Sequence, residues 1–177
     1  MVNMKILAFG ASYSRNSINK TFAAYVAKQI GNAEVEVLDL SQYDLPIFTV
    51  DIEKEVGTPT FVNAFLSKLE SADLLVISMA EHNGSYTVAF KNLFDWTSRA
   101  KLKMFEDKKM ILLSAAPGPR GGKGVIDSAL VRFPMHGANI VMHFTLPKFS
   151  ENFSDDLGIL NEELKKDFSA KIENLSF

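Results

Sequence analysis

Four hydroxyl or amide side chains, Ser12, Ser14, Ser17 and Asn19, fall within eight residues directly after the apolar run at residues 6–9. A helix starting near Ser17 offers free backbone N–H groups and about half a positive charge at its N-terminus, and hydroxyls and amides there add donors without adding a competing charge. That combination suits a phosphate. The same residue types also serve ordinary turns and caps. The dinucleotide fingerprint G-x-G-x-x-G fails, because after Gly10 it meets Ser12 and Arg15 where glycines are required. A Walker A loop fails as well: ahead of Gly122-Lys123 stands Pro117 instead of the first glycine, and Gly124 follows instead of Ser or Thr.

A second stretch, Ala80-Glu81-His82-Asn83-Gly84-Ser85-Tyr86, offers backbone amides, an Asn amide and hydroxyls to the edge of a flat heteroaromatic ring. Gly84 permits close backbone approach. Ser85 makes a poor nucleophile, since the G-x-S-x-G elbow needs glycine where Asn83 stands. His82 is open to two readings, a general base or a residue packed beside a ligand. A third stretch, residues 115–124, is rich in Ala, Gly and Pro and carries Arg120 and Lys123, either as partners for a nucleotide phosphate or as solvated loop residues. His136 and His143 have no neighbours at metal-ligand spacing, and no metal site is expected.

These stretches need a scaffold, and the hydrophobic pattern supplies one. Continuous apolar runs at residues 6–9, 72–79, 110–115 and 140–145 read as strands buried on both faces, and the alternating 34–40 as a strand nearer an edge. Helices are expected at 17–30, behind Thr58-Pro59, at 88–98, through Val125 and Ala129 to Phe133, and around Leu164 and Phe168 to Leu175. Residues 43–57 read as a long connection. Strands separated by helices pair in parallel, and ligands of such sheets bind beyond the strands' carboxyl ends. All three stretches follow strands, so they converge on one site.

Composition narrows the chemistry. The 177 residues, 47% hydrophobic, suffice for a single domain over 1–177. Nineteen Lys plus Arg against 21 Asp plus Glu, a net charge of −2, give no footing for nucleic acid or a membrane surface. No run approaches the roughly 18 to 20 apolar residues that span a bilayer, and the apolar run before Gly10 is too short for a signal-peptide core, so a cytoplasmic location is expected. Cysteine is absent, so any redox chemistry must be borrowed from a cofactor.

Taken together the three stretches resemble the NADPH-dependent FMN reductases of flavodoxin-like fold, which include azobenzene, quinone and chromate reductases. That family usually shows Gly-Ser-x-Arg-x-x-Ser-x-Asn after its first strand. Here Ser12, Ser17 and Asn19 match, Ser14 takes the arginine position and Arg15 comes one place late. Its Pro-Glu-Tyr-Asn-x-Ser is Ala80-Glu81-His82-Asn83-Gly84-Ser85 here, and its Leu-Lys-Asn-x-x-Asp-Trp is Phe90-Lys91-Asn92-Leu93-Phe94-Asp95-Trp96. The resemblance extends to Asp44-Leu45-Pro46 and to residues 117–122.

The resemblance implies a three-layer sandwich, a five-stranded parallel sheet in the order 2-1-3-4-5 with helices on both faces. It implies FMN, its phosphate at Ser12, Ser14, Ser17, Ile18 and Asn19, its ring between Ala80, Glu81, His82, Asn83, Gly84 and Ser85 on one side and Ala115, Ala116, Gly118, Gly121 and Gly122 on the other. It implies NADPH or NADH as hydride donor and a small acceptor such as a quinone, azo compound, free flavin or metal oxyanion, while the apolar helix at 88–98 points to a homodimer or homotetramer. Ala80 and His82, in place of Pro and Tyr, bear on acceptor choice. Lys91, Asp95 and Trp96 are expected in packing or subunit contact. No side chain is assigned a catalytic role, because hydride transfer itself needs no acid or base. A flavodoxin-type electron carrier and a non-catalytic nucleotide-binding module are the alternatives from other classes.

Overall fold

The structure, a computed structural model, describes residues 4–175. Strand β1 (Met4–Ala11) is followed by helix α1 (Ile18–Lys28), β2 (Ala33–Leu38), α2 (Val50–Val56), α3 (Thr60–Ser71) and β3 (Leu74–Met79). A small hairpin, β4 (Glu81–His82) with β5 (Ser85–Tyr86), precedes α4 (Val88–Ala100), β6 (Lys109–Ala115), α5 (Lys123–Arg132) and β7 (Asn139–Leu146). The chain closes with α6 (Phe149–Asn152), a second hairpin of β8 (Phe153–Ser154) and β9 (Gly158–Ile159), and α7 (Glu162–Glu173).

The main sheet runs β2-β1-β3-β6-β7 with every pair parallel, which is the expected 2-1-3-4-5 order with β6 and β7 as fourth and fifth strands. Alternate residues of the central strands feed two cores. Leu7, Phe9, Leu75, Ile77 and Leu112 pack under α3, α4 and α5, while Ile6, Ala8, Val76, Ile111 and Leu113 pack under α1 and α7. Register places the strand ends level: Ala11 lies opposite Met79, Met79 opposite Ser114, and Ala115 opposite Leu146. The loops after β1, β3 and β6 therefore leave the same sheet edge side by side.

Some expectations change. The second strand stops at Leu38 rather than 40, because the Asp39 carboxylate accepts the Ser41 N–H at 3.0 Å and turns residues Leu40–Gln42 into a short 3-10 helix. The 43–57 connection contains α2, capped by Thr49, whose hydroxyl accepts from Ile52 N–H at 3.0 Å. Helix α5 ends at Arg132, and Phe133 belongs to a separate 3-10 turn, Phe133–His136. Leu175 packs against the core beyond the end of α7. The rest of the connection lies on α4: Asn92 accepts from Phe48 N–H at 2.8 Å, and the Trp96 indole N–H donates to the Pro46 carbonyl at 2.8 Å. Asn92 and Trp96 thus hold the Asp44-Leu45-Pro46 segment, and Lys91 pairs with Asp95 one turn along at 2.7 Å. Phe90, Leu93, Phe94 and Trp96 of α4 are buried in the chain's own core and Val88 alone of its large apolar residues is exposed, so the apolar face as a whole is no evidence for a dimer. Among the described residues no helix is long and apolar enough to cross a membrane.

Candidate functional site

The turn into α1 depends on Gly10. A Cβ at that position would fall on the backbone N of Lys20, so only glycine lets the first turn of α1 rest on the end of β1. Ser17 caps the helix, its hydroxyl oxygen accepting from Lys20 N–H at 3.2 Å. Ser12 accepts from Ser14 N–H at the same distance. Each hydroxyl keeps its own proton to donate. The N–H groups of Ile18 and Asn19, first and second in the helix, have no acceptor among the described residues. Such groups need a partner from outside the helix.

Asn19 departs from its expected role. Its amide oxygen accepts from the Ser78 hydroxyl at 2.7 Å and from Ala115 N–H at 2.8 Å, and its amide nitrogen donates to the Ala115 carbonyl at 3.0 Å. The side chain is 3% exposed and joins α1 to the ends of β3 and β6. Of the Asn19 donors, the backbone N–H is the one left unengaged among the described residues.

These residues form one wall of a cavity of about 170 Å³, lined by Ser12, Ser14, Asn16, Ser17, Ile18 and Asn19 from the first loop, Ala80, Glu81 and His82 from the second, and Ala115, Ala116 and Pro117 from the third. Ten of the sixteen expected residues meet here. Asn16 and Pro117 join them without having been singled out, although both sit inside the stretches that were.

The other six lie outside the cavity lining, and the backbone explains most of them. Asn83 and Gly84 have φ of 52° and 76°, the pair of positive values that a two-residue hairpin turn demands, and a Cβ on Gly84 would touch nothing within 4 Å. The positive φ of Gly84 is thus set by the turn, and the space beside it is open. Ser85 is exposed on the return strand. Gly121 and Gly122 have φ of 61° and 78°, and a Cβ on Gly122 would overlap the Ser114 hydroxyl, so both are required by the turn into α5. The Gly118 carbonyl accepts from Gly121 N–H within the same loop and from Lys148 N–H in the segment after β7.

Most charged groups around the site are engaged within the chain. Glu81, the single carboxylate in the cavity lining, has its Oε2 occupied by Val125 N–H at 2.8 Å. Lys20 follows the cradle and pairs with Asp39, whose carboxyl is lowered to about 2 by the Lys20 hydrogen bond first and the Ser41 hydroxyl second. Tyr13, between the two cradle serines, is pushed up to about 12 by burial, with Tyr43 and Asp44 adding to the effect, and so stays a neutral donor. Arg120 makes no ion pair among the described residues, whereas Lys123 is paired with Asp127 at 2.8 Å. His136 lies away from the cavity, its Nδ1–H donating to the Leu102 carbonyl at 2.7 Å, and no group of His, Asp and Glu among the described residues is placed to hold a metal. Unpaired amides, hydroxyl donors and no free carboxylate fit the phosphate end of FMN.

The chain is similar to known flavin and quinone oxidoreductases in sequence and fold. A NAD(P)H:quinone oxidoreductase of Solanum tuberosum is 31% identical over 164 residues, which is 88% of this chain and 79% of that protein. A quinone reductase of Escherichia coli strain K12 is 30% identical over 120 residues, 67% of this chain and 63% of that one. Among solved structures, the flavoenzyme NAD(P)H:(acceptor) oxidoreductase FerB from Paracoccus denitrificans shares the fold at a TM-score of 0.72 and 19% identity, covering 96% of both chains. The sequence pattern of the NADPH-dependent FMN reductases matches from the start of β1 to the segment beyond the third loop, residues 4–151, and the chain belongs to that family, an oxidoreductase that uses FMN and takes its electrons from NAD(P)H.

Proposed function

We propose that this oxidoreductase seats FMN in the cavity at the sheet edge and passes electrons from NAD(P)H to a small acceptor of the quinone or azo class. The observation that carries the reading is the first turn of α1, where two unpaired N–H groups and the Ser12 and Ser17 hydroxyls face a cavity whose one carboxylate, Glu81, is engaged by Val125 N–H. FMN, when bound, supplies the hydride-accepting chemistry. The chain's part is to hold and orient: the Ser12–Asn19 loop takes the phosphate, and Ala80, His82, Ala115 and Ala116 border the ring. His82 lines the wall nearest the acceptor. Quinone acceptors are favoured over others by the named activities of the two relatives above.

The expected working place is the cytoplasm, as a dimer or tetramer of this chain. The exposed apolar Ile47 and Val88, 74% and 77% accessible, border a groove beside Tyr13 and support self-association. Light scattering of the purified protein measures it, and a monomer at assay concentration removes that part.

The test of the function is direct. The purified protein is loaded with FMN, freed of excess, and given NADPH or NADH with a quinone or an azo dye. Stoichiometric FMN uptake and catalytic turnover are expected. Failure to retain FMN, or reduction of protein carriers alone, overturns the reading.

A further inference from the structure

Helix α5 begins without a cap of its own, since its N-cap residue is Gly122, which has no side chain to offer. The cap arrives from another element. Glu81, on the first strand of the β4–β5 hairpin, brings Oε2 to within 2.8 Å of Val125 N, placing a carboxylate at the positive end of α5. Gly124 makes room for it: a Cβ there would lie 3.0 Å from Glu81 Oε2 and 3.2 Å from the Gly84 carbonyl. On its other strand the hairpin is held by Tyr86, whose ring stacks on Phe133 at 6.2 Å and 6°. Between these anchors, the side chains of Asn83 and Ser85 make no hydrogen bond among the described residues.

Glu81 therefore ties one wall of the cavity, carried by the hairpin, to the helix on which the third loop ends. We infer that Glu81 is a positioning residue for the flavin ring: it sets the separation between the hairpin and the third loop and keeps its own charge engaged away from the cofactor. Without it the hairpin pivots on Tyr86 and the gap is no longer defined. The inference rests on the reading of this cavity as the FMN site.

The experiment compares Glu81→Ala, Glu81→Gln and Gly124→Ala with the parent. It uses FMN titration of the apoprotein by fluorescence quenching, amide hydrogen exchange at Val125 and the hairpin, and the visible spectrum of bound FMN. Glu81→Ala is expected to weaken FMN binding at least tenfold, speed exchange at Val125 at least tenfold, and move the spectrum toward that of free FMN. Glu81→Gln keeps an oxygen to accept from Val125 N–H and should bind within threefold of the parent. Gly124→Ala, which favours the helix but pushes against Glu81 and Gly84, should weaken FMN at least threefold without lowering the melting temperature. Unchanged affinity in both Glu81→Ala and Gly124→Ala would show the cap to be local to α5 and overturns the inference. Equal losses in Glu81→Ala and Glu81→Gln overturn it too, by showing that the charge itself meets the ligand. A parent that takes up no FMN fails before any substitution is made, and brings down the site reading and this inference together.

Discussion

Two polar residues two positions apart at the start of α1, its cap Ser17 and Asn19, show how differently residues of one motif are used. Ser17 spends an oxygen lone pair on the helix cap and keeps a proton for a ligand, whereas the Asn19 amide is engaged three times inside the protein. Their substitutions should separate accordingly. Ser17→Ala removes a hydrogen bond to a charged group, worth roughly 1.5 to 3 kcal/mol, so FMN affinity falls about tenfold or more. Riboflavin, which lacks the phosphate, should bind the variant nearly as well as it binds the parent. An equal loss for both flavins would remove Ser17 from the phosphate site. Asn19→Ala leaves the Ser78 hydroxyl and the Ala115 N–H buried without partners, each costing about 1 to 3 kcal/mol. The apoprotein should then melt lower by roughly 5 °C or more, at about 2 to 4 °C per kcal/mol for a chain of this size. A melting temperature equal to the parent's would show that Asn19 is not the clamp its contacts describe.

At the scale of elements, what the sequence made legible follows from how each element buries its residues. The runs around Val76 and Leu112 are buried on both faces and announce parallel strands by hydrophobicity alone, so the meeting of three loops could be foreseen, while the strand order came from the family resemblance. Helix α2 buries no residue and leaves no periodic trace. The β4–β5 hairpin has strands of two residues, too short for alternation, although Asn83-Gly84 is the strongest short-range hairpin signal a sequence offers. Glu81 and Asn19 line the cavity as expected of site residues, but their structural use was not legible because the partners that engage them lie far away in sequence. Gly10 belongs to this scale, since its lack of a side chain decides where α1 lies. Gly10→Ala should displace the helix N-terminus, lowering both the melting temperature and FMN affinity. Gly118→Ala is the control: a Cβ there meets nothing within 4 Å, and its effect should stay within about 0.5 kcal/mol. If the two variants melt and bind alike, the close approach of α1 to β1 does not govern the cradle.

For the whole molecule, level strand ends bring all three loops to one edge of the sheet, and the cavity they enclose is walled on three sides by them. A cofactor seated there presents its remaining side to every small molecule that must exchange electrons with it. Hydride donor and acceptor then occupy one position in turn, and the first product leaves before the second substrate enters. We predict ping-pong kinetics, seen as parallel lines when initial rate is measured against a quinone at several fixed NADPH concentrations. Intersecting lines would mean that both substrates are held together and that the protein offers two positions, a result the groove beside Tyr13 would then have to explain. His82 stands on the wall bordering the shared position, so His82→Tyr should change the ratio of quinone to azo-dye turnover by severalfold. The proposed phosphate cradle lies on the first loop, which the substitution leaves alone, and FMN content should be preserved. Parallel lines with identical acceptor ratios in the two proteins would keep the shared position and exclude His82 from it, leaving the choice of acceptor to the third loop.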